Sequence, residues 1–238
     1  MKKSFIFYAL IVMVILSACS NTFAEDDSVY YPIGDSITWL DGNEYAGTDE
    51  VAVGYPSIIK EKIEFDGIIN KGVDGGSLAK NSNYPVNGSI LLDNNWDDIN
   101  LADLITILAG TNDFKLGVPL GEIVENNYDE STFTGAYQSL LDKINEENPN
   151  AAVYLITPLQ RDNDNYDINI VNDVGHKLVD YVDRIKELSD KYGYEVIDLY
   201  GDSKITVDTL DDYTVDGLHP NDKGFEVMAN EIMDAVNY

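Results

Sequence analysis

Leu101-Ala-Asp-Leu-Ile-Thr-Ile-Leu-Ala109, followed at once by Gly110-Thr-Asn-Asp113, is the stretch that decides the fold. Its apolar residues run on without the polar alternation of a strand that faces water on one side. Such a run fits a strand buried on both faces, the condition met in parallel sheets. Outward from it, shorter β-branched and apolar runs occur at residues 29–33, 67–70, 151–157 and 195–200. Between them lie apolar residues at helical spacing. The clearest such pattern, 172–192, places Val174, Leu178, Tyr181, Val182, Ile185 and Leu188 on one stripe and ends at Gly193. A second, 131–145, runs through Phe133, Tyr137, Leu140, Leu141 and Ile144, and a third turns Phe225, Met228, Ile232 and Val236 inward. Residues 55–65 form a shorter candidate.

Strands alternating with helices require crossover connections, and these give a parallel sheet wrapped on both faces. The expected fold class is therefore α/β: a single-domain three-layer α/β/α sandwich with a mainly parallel sheet of about five strands. In such sheets ligands gather at the carboxyl ends of the strands. The short polar motifs of this chain sit just after its apolar runs. Pro32 falls inside the first run, and proline cannot donate to a ladder, so it is expected to mark that strand's last paired position.

Composition narrows the partners. The chain has 238 residues, 44% of them hydrophobic and 24% charged, which is ordinary for a globular protein and excludes a disordered or collagen-like chain. Forty-three acidic residues against fifteen basic ones give a formal charge of −28. A surface of that sign repels phosphate backbones and anionic headgroups, so no nucleic-acid partner is expected. One cysteine, Cys19, excludes an internal disulfide and a cysteine-rich zinc site. No His-Glu-x-x-His pair occurs and only two histidines exist, so neither a metal nor another cofactor is expected.

The first residues read as a targeting segment. Lys2 and Lys3 precede an apolar run of twelve, 5–16, too short to span a bilayer and suited to a signal peptide. The run ends in Leu16-Ser-Ala-Cys19, which resembles the lipobox of bacterial lipoproteins. By that resemblance residues 1–18 are removed, Cys19 is lipidated, and 19–28 form an acidic tether to a domain over 29–238. The protein is then expected at the bacterial cell surface or periplasm, with a secreted soluble form as the alternative. Its only membrane contact is the lipid anchor.

Four motifs carry the chemistry. They are Gly34-Asp-Ser36-Ile-Thr38, Asn70-Lys-Gly72-Val-Asp-Gly75-Gly76, Gly110-Thr-Asn112-Asp113 and Asp216-Gly-Leu-His219-Pro220. A serine hydroxyl needs a base to take its proton as it attacks, and histidine suits that task when a carboxylate fixes its tautomer. Asp216 and His219, three residues apart, can make that pairing within one turn. In this order the four motifs resemble the blocks of the SGNH (GDSL) hydrolase family, and the resemblance spans essentially all of the mature chain. It implies the flavodoxin-like fold of that family, Ser36 as nucleophile, His219 as base and then acid, and Asp216 as its orienter. It also implies an oxyanion hole made by the backbone N–H of Ser36, the backbone N–H of Gly75 and the side-chain amide of Asn112. The reaction implied is two-step acyl transfer through an acyl-Ser36 intermediate.

Other residues are read more plainly. His176, the one rival base, lies in the first turns of a periodic helix and is expected to face solvent. Asp35 and Asp113 are expected to bond backbone in turns, and Asp198 is a lesser candidate to orient the histidine. Gly72, Gly75 and Gly76 lack the Lys-Ser or Lys-Thr of a phosphate loop, and no Gly-x-Ser-x-Gly elbow occurs. Asp162-Asn-Asp-Asn-Tyr-Asp167 departs from a calcium loop at the glycine and at the final glutamate, and is read as a solvated loop. The expected substrate is an acylated small molecule or an O-acetylated glycan, with Trp39 placed to stack on a sugar. An acetyltransferase on the same triad, a lysophospholipase or thioesterase, and a non-catalytic glycan-binding lipoprotein are the alternatives.

Overall fold

The computed structural model describes residues 27–80 and 88–236. The expected signal segment 1–18, Cys19 and most of the expected tether lie outside the described residues. Six strands form one parallel sheet: β1 (Val29–Gly34), β2 (Gly67–Ile68), β3 (Lys71–Gly72), β4 (Leu104–Leu108), β5 (Ala152–Ile156) and β8 (Glu195–Ile197). Across the sheet the order is β2-β1-β4-β5-β8, with β3 continuing the β2 position beside β1. The five expected positions are all present, and one of them is shared by two short strands.

Pro32 explains the division. It is not the last paired residue of β1: it stands opposite Thr106 of β4, and the strand runs on through Ile33 and Gly34. The carbonyls of Tyr30 and Gly34 point away from β4 and accept from Ile69 N at 2.9 Å and Val73 N at 2.9 Å. Residue 32 points the same way, and the next ladder bond on that side would run from its N–H to the Ile69 carbonyl. Proline has no such N–H, so the ladder lapses there and resumes at Lys71.

Helices cover both faces. On one face, Tyr31, Ile33, Ile105, Ile107 and Leu155 pack against α5 (Phe133–Glu147) and α6 (Leu178–Tyr192). On the other, Tyr30, Leu104, Leu108 and Ile156 meet α2 (Tyr55–Ile63) and α9 (Asp222–Ala235). All five residues of β4 are buried, as a run without polar alternation requires. Each large aliphatic side chain taken out of water there stabilises the fold by about 1.5–3 kcal/mol. The buried Tyr30 hydroxyl is matched by Thr106 Oγ1 at 2.8 Å.

Several boundaries differ from expectation, among them the strand of the run 195–200, which ends at Ile197. The first residue of the long run, Leu101, closes a 3₁₀ turn (Ile99–Leu101), and β4 begins only at Leu104. Helix α6 begins at Leu178 rather than 172, because the Asn172 side chain accepts from Val174 N at 3.2 Å and His176 N at 2.9 Å and closes its own turn. Val174 is therefore outside the helix and exposed. Gly193, left-handed at φ 74°, ends α6 as expected. Among the described residues no helix is long and apolar enough to cross a membrane.

Candidate active site

The sheet order makes β1 and β4 the pair at which the winding reverses, since β1 connects outward to β2 and β3 while β4 leads toward β5. Such a switch point opens a crevice at the carboxyl ends of the strands. Ser36 follows β1 and Asn112 follows β4, so the two stand on either side of it.

Ser36 opens α1 (Ser36–Trp39), a single turn started by Asp35, whose carboxylate accepts from Ile37 N at 3.0 Å. Residue 34 has to be glycine: a Cβ there would lie 2.1 Å from Thr38 Oγ1 and 2.8 Å from the Leu108 carbonyl. The next loop is tied to the same turn. Asn70 donates from Nδ2 to the Thr38 carbonyl at 2.9 Å and accepts from Gly72 N at 2.8 Å. A tight turn over 73–76 follows, in which Gly76 N donates to the Val73 carbonyl at 3.0 Å and Gly75 has φ +61°.

Helix α4 (Thr111–Lys115) brings Asn112 to this loop, where its amide donates to the Gly76 carbonyl at 3.0 Å. One of the two Nδ2 hydrogens remains for another acceptor. Asp113 holds the segment beyond, accepting from Leu78 N at 2.9 Å and Ala79 N at 3.2 Å. Asp35 and Asp113 thus bond backbone, as expected. Both are buried. Burial raises Asp35 to about 6, against the lowering effects of the Ile37 N–H and the His219 and Arg161 charges. It raises Asp113 to about 7, in spite of the two N–H groups it accepts.

The fourth motif arrives from the far end of the chain. A bridge between Thr214 and Pro220 closes a loop, and within it His219 Nδ1 lies 2.8 Å from Asp216 Oδ2. The other oxygen, Oδ1, accepts from His219 N at 2.8 Å and Leu218 N at 3.0 Å. Burial by itself would raise Asp216, but the His219 ring, these N–H groups and the His219 charge outweigh it and hold the group down to about 2. An ionised carboxylate only accepts, so Nδ1 carries the ring proton and Nε2 presents a lone pair. That lone pair faces Ser36 Oγ at 3.0 Å. Residues 183 apart in sequence therefore meet in one hydrogen-bonded chain, Ser36 to His219 to Asp216.

The other candidates stand elsewhere. His176 lies before α6, partly exposed, with Nδ1 3.3 Å from Asp180. Asp198 caps α7 (Leu199–Asp202), accepts from Thr157 Oγ1 at 2.9 Å and pairs with Lys186. Among the described residues no group of three or more His, Cys, Asp or Glu side chains is placed to hold a metal ion.

A family model for GDSL-like lipases and acylhydrolases matches residues 33–227, which include all four motifs. The chain belongs to this family. It is a serine hydrolase of ester bonds. No curated protein is significantly similar to it in sequence. Solved structures share its fold. A Lactobacillus plantarum protein is 24% identical with a TM-score of 0.70, covering 87% of this chain and 95% of its own. A possible lipase from Chitinophaga pinensis is 24% identical with a TM-score of 0.66 over 87% and 96%. The acetyl xylan esterase AlAXEase is 21% identical with a TM-score of 0.59 over 87% and 99%.

The hydrolase opens at Ser36 and His219 onto a cleft of about 480 Å³. Trp39, half-buried, and Tyr45 form part of its wall, and Glu44, Glu50 and Asp74 supply carboxylates, with no lysine or arginine among the lining residues.

The sequence reading overlooked two parts. The stretch read as a solvated loop is a hairpin of β6 (Asp162–Asn163) and β7 (Tyr166–Asp167), its two-residue turn formed by Asp164 at φ 53° and Asn165 at φ 64°. It grips the Asp216 loop: Asn163 Nδ2 donates to the Asp216 carbonyl at 2.8 Å, and Asp162 N to the Gly217 carbonyl at 2.9 Å. Contact is so close that a Cβ on Gly217 would lie 2.1 Å from the Asp162 carbonyl, and Gly217 is left-handed at φ 81°. The second part is Arg161, fully buried behind this hairpin. Its signal in the sequence was rarity: it is one of two arginines in an acidic chain, placed just past a strand end.

Proposed function

We propose that the hydrolase removes O-acetyl groups from carbohydrate through an acyl-Ser36 intermediate. The observation that carries the chemistry is the unbroken Ser36–His219–Asp216 chain at the mouth of the cleft. His219 Nε2 takes the hydroxyl proton as Ser36 Oγ attacks the ester carbonyl, and Asp216 stabilises the imidazolium that forms. His219 then returns the proton to the leaving alcohol. Water repeats the sequence on the acyl-enzyme and releases acetate.

The oxyanion of each tetrahedral intermediate is received by three donors: the N–H of Ser36, the N–H of Gly75 and the remaining Asn112 amide hydrogen. As the first residue of α1, Ser36 has an N–H with no acceptor inside its own helix. Asn112 donates to the Gly76 carbonyl, which ties its amide to the turn that carries Gly75.

The substrate class rests on the cleft. At about 480 Å³ it holds far more than an acetyl group, so most of it serves the alcohol side of the ester. The Trp39 ring is a surface for stacking on a sugar, and Glu44, Glu50 and Asp74, beside Asp216, disfavour polyanionic substrates. The test is a panel assayed with the purified mature domain. Acetate release should be fast from acetylated neutral glycan and from p-nitrophenyl acetate. It should be about tenfold or more slower from an acetylated uronan at low salt, with the gap narrowing as salt rises. Equal rates on both polymers overturn the substrate class, and transfer of acetyl to an added sugar in place of acetate release overturns hydrolysis.

We further propose that the enzyme is held at the membrane by lipid on Cys19, which rests on the lipobox resemblance alone. Cys19→Ser should move the protein to the soluble fraction, and its retention with membranes counts against the anchor.

A further inference from the structure

We propose that Arg161 is the positioning residue that keeps the oxyanion asparagine and the Asp216–His219 loop in register with each other. The proposal rests on the serine esterase reading above and adds a residue outside all four motifs.

The guanidinium reaches in two directions at once. Toward α4, Nη1 donates to Thr111 Oγ1 at 2.9 Å and lies 3.3 Å from the Thr111 carbonyl; Thr111 is the immediate neighbour of Asn112. Toward the hairpin, Nε lies 3.3 Å from the Tyr166 carbonyl, and Nη2 lies 3.4 Å and 3.5 Å from the carbonyl and side-chain oxygen of Asn163. Asn163 in turn donates to the Asp216 carbonyl at 2.8 Å. One rigid, planar group thus links the support of Asn112 to the support of Asp216, two site segments that lie more than 100 residues apart.

The side chain is 0% exposed, and among the described residues no carboxylate lies within 4 Å of it. A buried cation with no contact ion pair is costly even though the charges of Asp35, Asp164 and Asp216 offset part of its desolvation, and an apolar residue of similar length would fill the space at less cost. What an apolar residue cannot do is donate in two directions from a planar fork. Lysine cannot do so either, since its ammonium is a point donor on a flexible stem. Catalysis gains from that fork because small displacements of an oxyanion donor against the nucleophile are expensive, on the order of 10²-fold per ångström.

The experiment is a double-mutant cycle on p-nitrophenyl acetate with Arg161→Lys, Asn112→Ala and the pair, each checked for folding by circular dichroism and thermal melt. Arg161→Lys should lower kcat about 10- to 100-fold with KM within threefold. On the Asn112→Ala background it should cost only about three- to tenfold, the share carried by the hairpin arm, because the donor held by the other arm is gone. Additive losses, a change in KM alone, or a folded Arg161→Lys enzyme with kcat within twofold of wild type would each overturn the proposal. If Arg161→Lys does not fold, Thr111→Val and Asn163→Ala cut the two arms separately. Each should lower kcat about three- to tenfold, and near-normal kcat in both counts against the idea. Ser36→Ala, run on the same substrate, separates the levels: retained activity there removes the esterase reading itself.

Discussion

The two halves of the active site are built in opposite ways. The nucleophile half is centred on two buried residues, Ser36 and Asn112, and is pinned by side chains that bond backbone: Asp35 within its own turn, and Asn70, Asn112 and Asp113 between segments far apart in sequence. The acid–base half is a short surface loop in which Asp216 bonds its own neighbour three residues on, with His219 about one-quarter and Asp216 two-fifths exposed. Geometry that must not move is placed in the core, and the groups that exchange protons are left near water. The exposed half is then steadied from outside by the hairpin over 162–167 rather than by burial.

The comparison can be broken most directly at the line where the halves touch. Ser36→Ala and His219→Ala should each lower kcat by roughly 10³-fold or more, and the double variant should be barely worse, because residues on either side act as one unit. Additive losses in steady-state kinetics would mean that the 3.0 Å contact is not the working one. Within the buried half, Asn112→Ala should cost about 10²-fold in kcat with little change in KM, as expected for a donor used only when negative charge develops. A loss confined to KM would make Asn112 a substrate-binding group instead.

The smallest effect concerns stability and sharpens the contrast in burial. Asp35 and Asp113 have folded values of about 6 and about 7, above the ordinary 3.8 of an unfolded aspartate. Between those limits the folded chain holds more protons than the unfolded one, so stability falls as pH rises from about 4 to 7. Asp216, at about 2, acts in the opposite sense and only at strong acid: what it contributes is present above pH 3.8 and lost as pH drops through about 2. The melting temperature should therefore be higher at pH 5 than at pH 8. Asp113→Asn should flatten that slope while lowering stability by about 1–3 kcal/mol, through the backbone N–H left unpaired. An unchanged slope in differential scanning calorimetry would assign the pH dependence to general repulsion among surface carboxylates instead.

Much of this was legible before any coordinates. The run before Gly110, free of polar alternation, announced a central strand, and the spacing of Tyr181, Val182, Ile185 and Leu188 announced the helix that covers it. The Asp216–His219 pairing needed only its three-residue interval. What escaped has a physical pattern: it depends on polar atoms whose direction no periodicity encodes. Residues 162–167 carry no alternation of apolar side chains, so a hairpin made of Asn and Asp looked like a loop. The stripe seemed to reach back to Val174 because nothing in the letters shows that Asn172 folds its side chain onto its own backbone. Arg161 belongs to no motif, and only the packed interior shows what it joins.

Pro32 has a wider consequence. An engineer asked to regularise this sheet would start by replacing it with valine, and the edge of the sheet would gain a continuous ladder beside β1. The gain would come at the expense of the gap in the ladder at residues 69–70, from which Asn70 clasps the serine turn at Thr38. Here, the defect in the architecture is what makes room for the chemistry, so a sturdier variant at this position should be a slower catalyst.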